Sequence, residues 1–317
     1  MNYKFEECLD YNLWDDFVIN SPQSNIYCCS SFLFALSSNF KLYFVRKNGN
    51  VLLGCIVVLD DDGNVSSPSM YQGVLFDKYI STLPSHRCSK ITLDLIDFLL
   101  ASLEKRFNTI SFMLHYSIND IRSFQWFNYH SNDKSKFSIE PYFTGILKFD
   151  DIENFDSLLK KSRKVRLQDY NKSIKEGFKV SESSEVRILD ELHDLTFARQ
   201  GLKRNDHEKM LALNFSKIAI EKGFGRLMIC RSKEGKPVSA SLFLFDKIRG
   251  YYHFGATNPE YRNYGVGSFV MFHQLKRCLN DGLNEVDFIG INSPQRGDFK
   301  TSFNAEPKVY FTVSYNI

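Results

Sequence analysis

The sequence lacks the features that mark membrane and secreted proteins. No apolar stretch reaches about 18 residues, the length that a membrane-spanning helix needs. The first ten residues, Met1 to Asp10, are polar and acidic, which is not the pattern of a secretory signal peptide. We therefore expect a cytoplasmic protein.

Regularly spaced cysteines are also missing. None of the seven cysteines lies in a C-x-x-C pair, and only Cys28 and Cys29 are adjacent. Metal sites and disulfide frameworks need a more regular spacing, so we expect reduced, mostly buried thiols and no metal. The sequence has no G-x-S-x-G or H-E-x-x-H motif, which favours chemistry without a serine nucleophile or a zinc ion.

A strong net charge is absent as well. The 40 basic residues are nearly matched by 37 acidic ones, and the formal net charge is +3, so nothing indicates a DNA-binding protein. The densest basic run lies between Lys160 and Arg166. Such a run is usually a solvated helix face.

What the sequence has is an internal repeat. At 317 residues it exceeds an ordinary single core, and two domains are expected. Lys41–Asp60 contains two β-type runs around Asn48-Gly49-Asn50, which predicts a hairpin. Arg226–Asp246 has the same pattern around Lys233-Glu234-Gly235, at an offset of about 185 residues.

Both halves continue alike, with a third strand that ends in glycine, an amphipathic helix and a fourth strand. The third strands are predicted at Ser69–Gly73 and Tyr251–Gly255, and the fourth at Thr109–Leu114 and Glu285–Ile289. The helices between them carry apolar residues three and four apart, namely Leu93, Ile96, Leu100 and Leu103 in the first half and Ser268, Met271, Phe272, Leu275 and Leu279 in the second.

The segment between the two hairpins joins the halves. Phe137–Phe149 is predicted as a strand, Asp151–Glu176 as one long charged helix that ends at Gly177, and Phe178–Ser181 as the next strand. Two further helices are expected at Glu185–Arg199 and Asp206–Lys222, with Asp206 as N-cap and Gly223 as stop. We predict one domain over residues 1–150 and a second over 151–317.

The sharpest local motif lies in the second half, in the segment Asn258–Ser268. Here Arg262, Gly265 and Gly267 form R-x-x-G-x-G between a strand and a helix. Glycines let the backbone approach a ligand, and amide N–H groups at a helix N-terminus attract anions such as a pyrophosphate. The same pattern also occurs in ordinary helix caps. The equivalent place in the first half, Leu83–Lys90, has no glycine.

This order of elements resembles the GNAT acyltransferase core, in which such a loop holds the pyrophosphate arm of acyl-CoA. The tandem arrangement resembles the Fem-type peptidyltransferases and their acetyltransferase-like relatives. The segments that carry this likeness are Trp14–Val18 with Ser24–Tyr27, Lys160–Arg166 with Lys175–Val180, and Asp287–Gly290 with Phe299–Phe303. Asn304 stands where the family ending usually has glycine, and no spare segment is left for the long helical arm of the tRNA-using members.

The resemblance implies an α/β (α+β) fold of two tandem GNAT-like domains with mixed, mostly antiparallel sheets. It implies an N-acyltransferase that uses acyl-CoA as donor and the amine of an amino sugar as acceptor, a nucleotide-linked sugar for surface polysaccharide synthesis. Two alternatives stay open: a donor that is an aminoacyl-tRNA or an acyl carrier protein, and a non-catalytic binding protein. The basic run at Lys160–Arg166 is compatible with either macromolecular donor.

Under this interpretation the donor site is expected on the R-x-x-G-x-G loop and on the later loop that contains Asn292. The donor-binding residues are Arg262, Asn263, Tyr264, Gly265, Val266, Gly267, Ser268 and Asn292. Tyr71, Tyr142 and Arg199 are expected to bind the acceptor.

Three residues are candidates for catalysis. His253 lies on the strand before the loop and is either a proton-transfer group or a packed strand histidine. Asp287 is either a base, an orienting group or a loop cap. Lys300 matches the family's F-K position, where it could stabilise negative charge on the carbonyl oxygen or on a phosphate, and is otherwise an exposed lysine.

Overall fold

The computed structural model describes residues 2–36, 39–199 and 201–316. The strands are β1 (Tyr3–Glu7), β2 (Asn39–Lys47), β3 (Asn50–Leu59), β4 (Val74–Phe76), β5 (Thr109–Met113), β6 (Ser138–Lys148), β7 (Lys179–Ser183), β8 (Gly225–Arg231), β9 (Pro237–Phe245), β10 (Arg249–Thr257), β11 (Glu285–Asp287) and β12 (Glu306–Asn316). The helices are α1 (Tyr11–Asn20), α2 (Ser30–Ala35), α3 (Lys78–Ser81), α4 (Ser85–Leu103), α5 (Arg122–Trp126), α6 (Phe155–Lys161), α7 (Lys164–Lys175), α8 (Val186–Ala198), α9 (Asp206–Glu221), α10 (Val266–Asn280) and α11 (Pro294–Thr301).

The chain forms two compact units. The first runs to Tyr142 and also takes the chain from Val309 onward, and the second is Phe143–Lys308. The predicted division after residue 150 differs from this, because the chain enters the second unit within β6 and leaves it within β12. Each unit has the predicted order of three strands, a helix and a strand.

In the first unit β1 to β4 form an antiparallel sheet in chain order, and β5 pairs with β12. The β2–β3 hairpin turns at Asn48 and Gly49, both with positive φ, as the sequence predicts. The predicted third strand at Ser69–Gly73 is wrong: this segment is a turn in which Tyr71 has φ +59°, and the strand begins at Val74.

In the second unit the strand order is β6-β11-β10-β9-β8-β7, and all of these neighbours are antiparallel except β10 and β11. Helix α10 packs on this sheet with buried apolar residues that include Met271, Phe272 and Leu275. The mixed α/β fold with helices beside the sheets confirms the predicted fold class.

The prediction of one helix over Asp151–Glu176 is wrong. The chain forms α6 and α7 instead, because Ser162 is extended and the N–H of Arg163 donates to the carbonyl of Ser302 at 2.8 Å. The predicted stop at Gly177 holds, with φ +79°. The N-cap of α9 is Asn205, not Asp206, since the Asn205 side chain accepts from the Glu208 N–H.

Candidate active site

The parallel strands β10 and β11 pair over only three residues each. Their pairing runs from Arg249 and Glu285 to Tyr251 and Asp287, while β10 continues to Thr257. The two strands therefore part at their carboxyl ends. In open sheets with parallel strands, ligands bind at such a place.

Lys300, on α11, lies at this point of divergence. Its Nζ donates to the carbonyls of Ile289 at 2.8 Å and Gly290 at 2.9 Å, and it lies 5.4 Å from the centre of the Tyr252 ring. Burial lowers the pKa of Lys300 to about 8, while the charge of Asp287 opposes that shift. The ammonium is therefore mostly protonated at pH 7, and it can stabilise negative charge on an acyl oxygen.

Asp287 is completely buried beside this lysine. Its Oδ1 accepts from the hydroxyl of Thr144 at 2.5 Å and from the N–H of Ile289 at 2.7 Å. A carboxylate removed from solvent in this way has no open path to a substrate amine. Of the roles expected for Asp287, these contacts favour orienting the chain around Lys300.

His253 contacts a different set of residues. It lies at a β-bulge of β10, where the pairing with β9 shifts between Tyr252 and Phe254. Its ring lies 5.0 Å from the ring of Phe215 on α9. Burial lowers its pKa to about 3, with a smaller contribution from nearby His193. The ring is therefore neutral and a weak base, which favours the packed strand histidine.

A shallow depression lies beside this part of β10, between α8 and α9. It is lined by Val186, Leu189, Asp190, His193, Ala212, Leu213, Ser216 and Phe254. Next to it, the guanidinium of buried Arg204 pairs with Asp190 at 2.5 Å and with Asp194 at 2.9 Å, which fixes the start of α9 against α8.

The R-x-x-G-x-G loop has the predicted form. Pro259–Tyr264 is a 3-10 helix, Gly265 has φ +76°, and α10 begins at Val266. The glycines also have neighbours within the chain. A Cβ on Gly265 would lie 2.6 Å from Cβ of Asp169 on α7, and one on Gly267 would lie 3.1 Å from Oγ1 of Thr257.

Helix α7 binds the loop through four hydrogen bonds. Two go to backbone carbonyls: Lys172 Nζ donates to Asn263 at 2.7 Å, and Ser173 Oγ donates to Tyr264 at 2.8 Å. The others meet at Ser268, whose hydroxyl donates to Asp169 at 2.6 Å and accepts from Arg166 at 2.8 Å.

Asp169 therefore places a carboxylate at the first turn of α10. Arg166 completes an ion pair with it at 3.0 Å. A helix N-terminus favours an anion, and here an anion of the chain itself lies at it.

The other predicted binding residues are spread over the two units. Asn292 holds the backbone of Phe143, whose N–H it accepts at 2.7 Å and to whose carbonyl it donates at 3.1 Å. Tyr71 is buried in the first unit, and Tyr142, also there, donates to Glu140 at 2.9 Å. Arg199 is exposed at the end of α8 in the second unit. Their roles in binding remain predictions, as does that of exposed Arg262.

Sequence reasoning did not single out Asp169, Thr144 or Ile289. Arg166 and Asp169 are three residues apart, a spacing that predicts an ion pair on one face of a helix. Nothing in the sequence signals the positive φ of Ile289.

Comparison with known proteins shows what this part of the chain is similar to. Residues 161–301 match the model of the acetyltransferase (GNAT) domain family. The aminoacyltransferase FemA of Staphylococcus epidermidis is 25% identical over 168 residues, which cover 51% of this chain and 34% of FemA. The chain thus matches about a third of the length of this curated relative.

Two solved structures share the fold of this chain over nearly its whole length. FemX superposes with a TM-score of 0.71 at 13% identity, covering 98% of this chain and 97% of FemX. A tandem GNAT protein from the clavulanic acid biosynthesis pathway gives 0.56 at 11% identity, covering 100% and 98%. Residues 161–301 therefore resemble a GNAT acyltransferase domain, and the whole chain shares the fold of FemX and of the tandem GNAT protein. The predicted resemblance is confirmed.

Two features are absent from the residues that the structure describes. None of the helices in residues 2–36, 39–199 and 201–316 has both the length and the apolar character that crossing a membrane requires. In the same ranges no three His, Cys, Asp or Glu side chains are grouped so that they could hold a metal ion.

Proposed function

We propose that the protein transfers an aminoacyl group from the ester of an aminoacyl-tRNA to the amine of an acceptor. The observation that carries this proposal is the Lys300 ammonium, held by two carbonyls where β10 and β11 part. Relatedness to FemA, which is named an aminoacyltransferase, supports the aminoacyl donor.

The chemistry needs no nucleophile from the protein. The neutral amine nitrogen attacks the ester carbonyl carbon, and a C–N bond forms while the carbonyl electrons move to oxygen. Lys300 stabilises that oxyanion. The carbonyl then re-forms as the C–O bond to the ribose breaks, and the leaving ribose oxygen takes up the proton that the amine loses and becomes a hydroxyl.

The contacts of α7 bear on the choice of donor. A CoA pyrophosphate bound at α10 would compete with the Asp169 carboxylate, and like charges at one helix end are unfavourable. An aminoacyl ester presented to Lys300 does not require that place. Exposed basic residues at the junction of α6 and α7, among them Lys160 and Lys164, offer contacts to phosphates of an RNA backbone.

A second candidate is N-acyl transfer from acyl-CoA to an amino sugar, and the R-x-x-G-x-G loop with exposed Arg262 favours it. An acyl carrier protein is a third possible donor. A nucleotide-linked amino sugar as acceptor and a cytoplasmic location stay predictions.

The test compares the donors directly. Total tRNA charged with labelled amino acids and, separately, labelled acetyl-CoA are incubated with the protein and a panel of amines: glucosamine, a UDP-linked amino sugar and a lysine-containing peptide. We expect label to move from tRNA to an amine with wild-type protein and with Lys247→Met, an exposed control, but not with Lys300→Met. Transfer only from acetyl-CoA would replace the aminoacyl proposal with the second candidate.

A further inference from the structure

The chain beyond β11 continues beside β6 with one irregularity. Asp287 pairs with Ile146, and the N–H of Phe288 donates to the carbonyl of Gly145 at 2.9 Å. The next backbone hydrogen bond, from the N–H of Ile291 to Phe143, also measures 2.9 Å. Two residues, 289 and 290, therefore lie opposite the single residue 144, which defines a β-bulge.

The first residue of this bulge is unusual. Ile289 has φ +43°, in the left-handed region that glycine adopts readily and that β-branched residues rarely adopt. Its neighbour Gly290 has no positive φ, and a Cβ there would meet only the amide nitrogen of Asn292, at 3.8 Å. The sequence thus has isoleucine where the backbone would favour glycine.

The surroundings fix the bulge on both sides. Asp287 accepts from the N–H of Ile289 and from the hydroxyl of Thr144, the residue opposite. Asn292 holds the backbone of Phe143 just beyond. With both flanks held, the carbonyls of Ile289 and Gly290 both accept from the Nζ of Lys300. Strained backbone that persists only because its surroundings determine it clusters at functional sites.

We infer that the Ile289–Gly290 bulge is a cradle for the Lys300 ammonium and that Ile289 is a positioning residue for it. The two carbonyls take two of the three N–H donors of the ammonium, and within the described chain the third has no acceptor. That donor is left for an oxygen of the bound substrate. The use of the third donor rests on the proposed function, but the cradle itself does not.

The first experiment measures Lys300 without any assay of transfer. Trace acetylation with acetic anhydride over pH 6–11, resolved by peptide mass spectrometry, gives the apparent pKa of that one lysine. We expect a value near 8 in the wild type. Ile289→Gly and Ile289→Asn, which tolerate positive φ, should keep it.

Ile289→Pro is the matched disruptive variant. Proline fixes φ near −65° and removes the N–H that binds Asp287, so the cradle cannot form. Because the two carbonyls stabilise the charged ammonium, their loss should lower the apparent pKa of the buried Lys300 further below its wild-type value, and kcat should fall at least tenfold with KM little changed. An unchanged Lys300 pKa in folded Ile289→Pro protein would overturn the inference.

A second variant covers the case in which Ile289→Pro does not fold. In Lys300→Met the bulge loses its cation, so we expect faster hydrogen–deuterium exchange at residues 288–291 and unchanged exchange in β8. Exchange at 288–291 equal to the wild type would show that the lysine and the bulge are independent, and the cradle would be refuted. If labelling and exchange agree with the cradle while no donor reacts, the proposed function fails and the cradle stands.

Discussion

Replacing Gly265 by alanine tests why the R-x-x-G-x-G loop has its glycines. Gly265 has φ +76°, and a left-handed conformation costs an alanine about 1–2 kcal/mol. Its Cβ would also lie 2.6 Å from Cβ and 2.7 Å from Cα of Asp169, and overpacking of this kind typically costs about 1–3 kcal/mol. We therefore expect Gly265→Ala to lower the free energy of unfolding by about 3 kcal/mol.

Gly267→Ala is the matched control. Gly267 has no positive φ, lies in the first turn of α10, and a Cβ there would meet only Oγ1 of Thr257, at 3.1 Å. Alanine is favoured over glycine in helices by about 1 kcal/mol, which offsets that tight contact. The unfolding free energy of Gly267→Ala should therefore stay within about 1 kcal/mol of the wild type.

Urea denaturation measures both variants, with two probes. Both tryptophans, Trp14 and Trp126, lie in the first unit, so their fluorescence reports on that unit, whereas circular dichroism reports on both. The Gly265→Ala loss should appear mainly in the dichroism curve. If Gly265→Ala is as stable as Gly267→Ala, packing against α7 does not explain why residue 265 is glycine. The close approach of a bound pyrophosphate would then be the better explanation.

Three further predictions follow from the side chains around β10 and α7. Lys300→Met should lower the transfer rate by about 10²–10³, and a wild-type rate in this variant would contradict the role. The wild-type rate should fall as pH rises through about 8, where Lys300 loses its proton. In Lys300→Arg this fall should occur at higher pH. His253→Gln should transfer within about threefold of wild type, since a packed histidine takes no part in the chemistry. The folded pKa of His253, about 3, lies below its ordinary 6.5, so stability is lost as pH falls between these values, by up to about 1.4 kcal/mol per unit, and this loss should shrink in His253→Gln. In Lys160→Glu and Lys164→Glu, tRNA binding should weaken and its salt dependence flatten, and equal slopes in a fluorescence titration would argue against RNA at this surface.

The local parts of the fold could be read from the sequence, because their signals are local. The hairpin turns at Asn48-Gly49 and Lys233-Glu234-Gly235, and the stop at Gly177, lie where turn and cap chemistry predict them. The errors lie where a distant part of the chain decides. The break between α6 and α7 depends on the bond from Arg163 to Ser302, which no periodicity reveals.

The candidate site was only partly readable for the same reason. The family-like ending points to Asp287 and Lys300, and the structure brings these two together. Their connection runs through the backbone of Ile289, whose positive φ has no sequence signature. His253 has the right residue type on the right strand, but its packing against Phe215 and its low pKa depend on α8 and α9.

A substitution at Asp169 distinguishes an acyl-CoA donor from an aminoacyl-tRNA donor more clearly than a substitution at either glycine does. The N-terminus of α10 favours one anion, and at present the Asp169 carboxylate lies there, hydrogen-bonded to Ser268 and paired with Arg166. A CoA pyrophosphate must displace it, whereas an ester that reacts at Lys300 need not. Asp169→Asn keeps the shape and removes the charge. It should tighten acetyl-CoA binding in calorimetry if the second candidate is correct, and it should leave transfer from aminoacyl-tRNA within about twofold of wild type if the first is correct. An Asp169→Asn protein that still binds no acetyl-CoA would exclude the loop as a pyrophosphate site, since Arg166 would then lie at the helix end without a competing carboxylate.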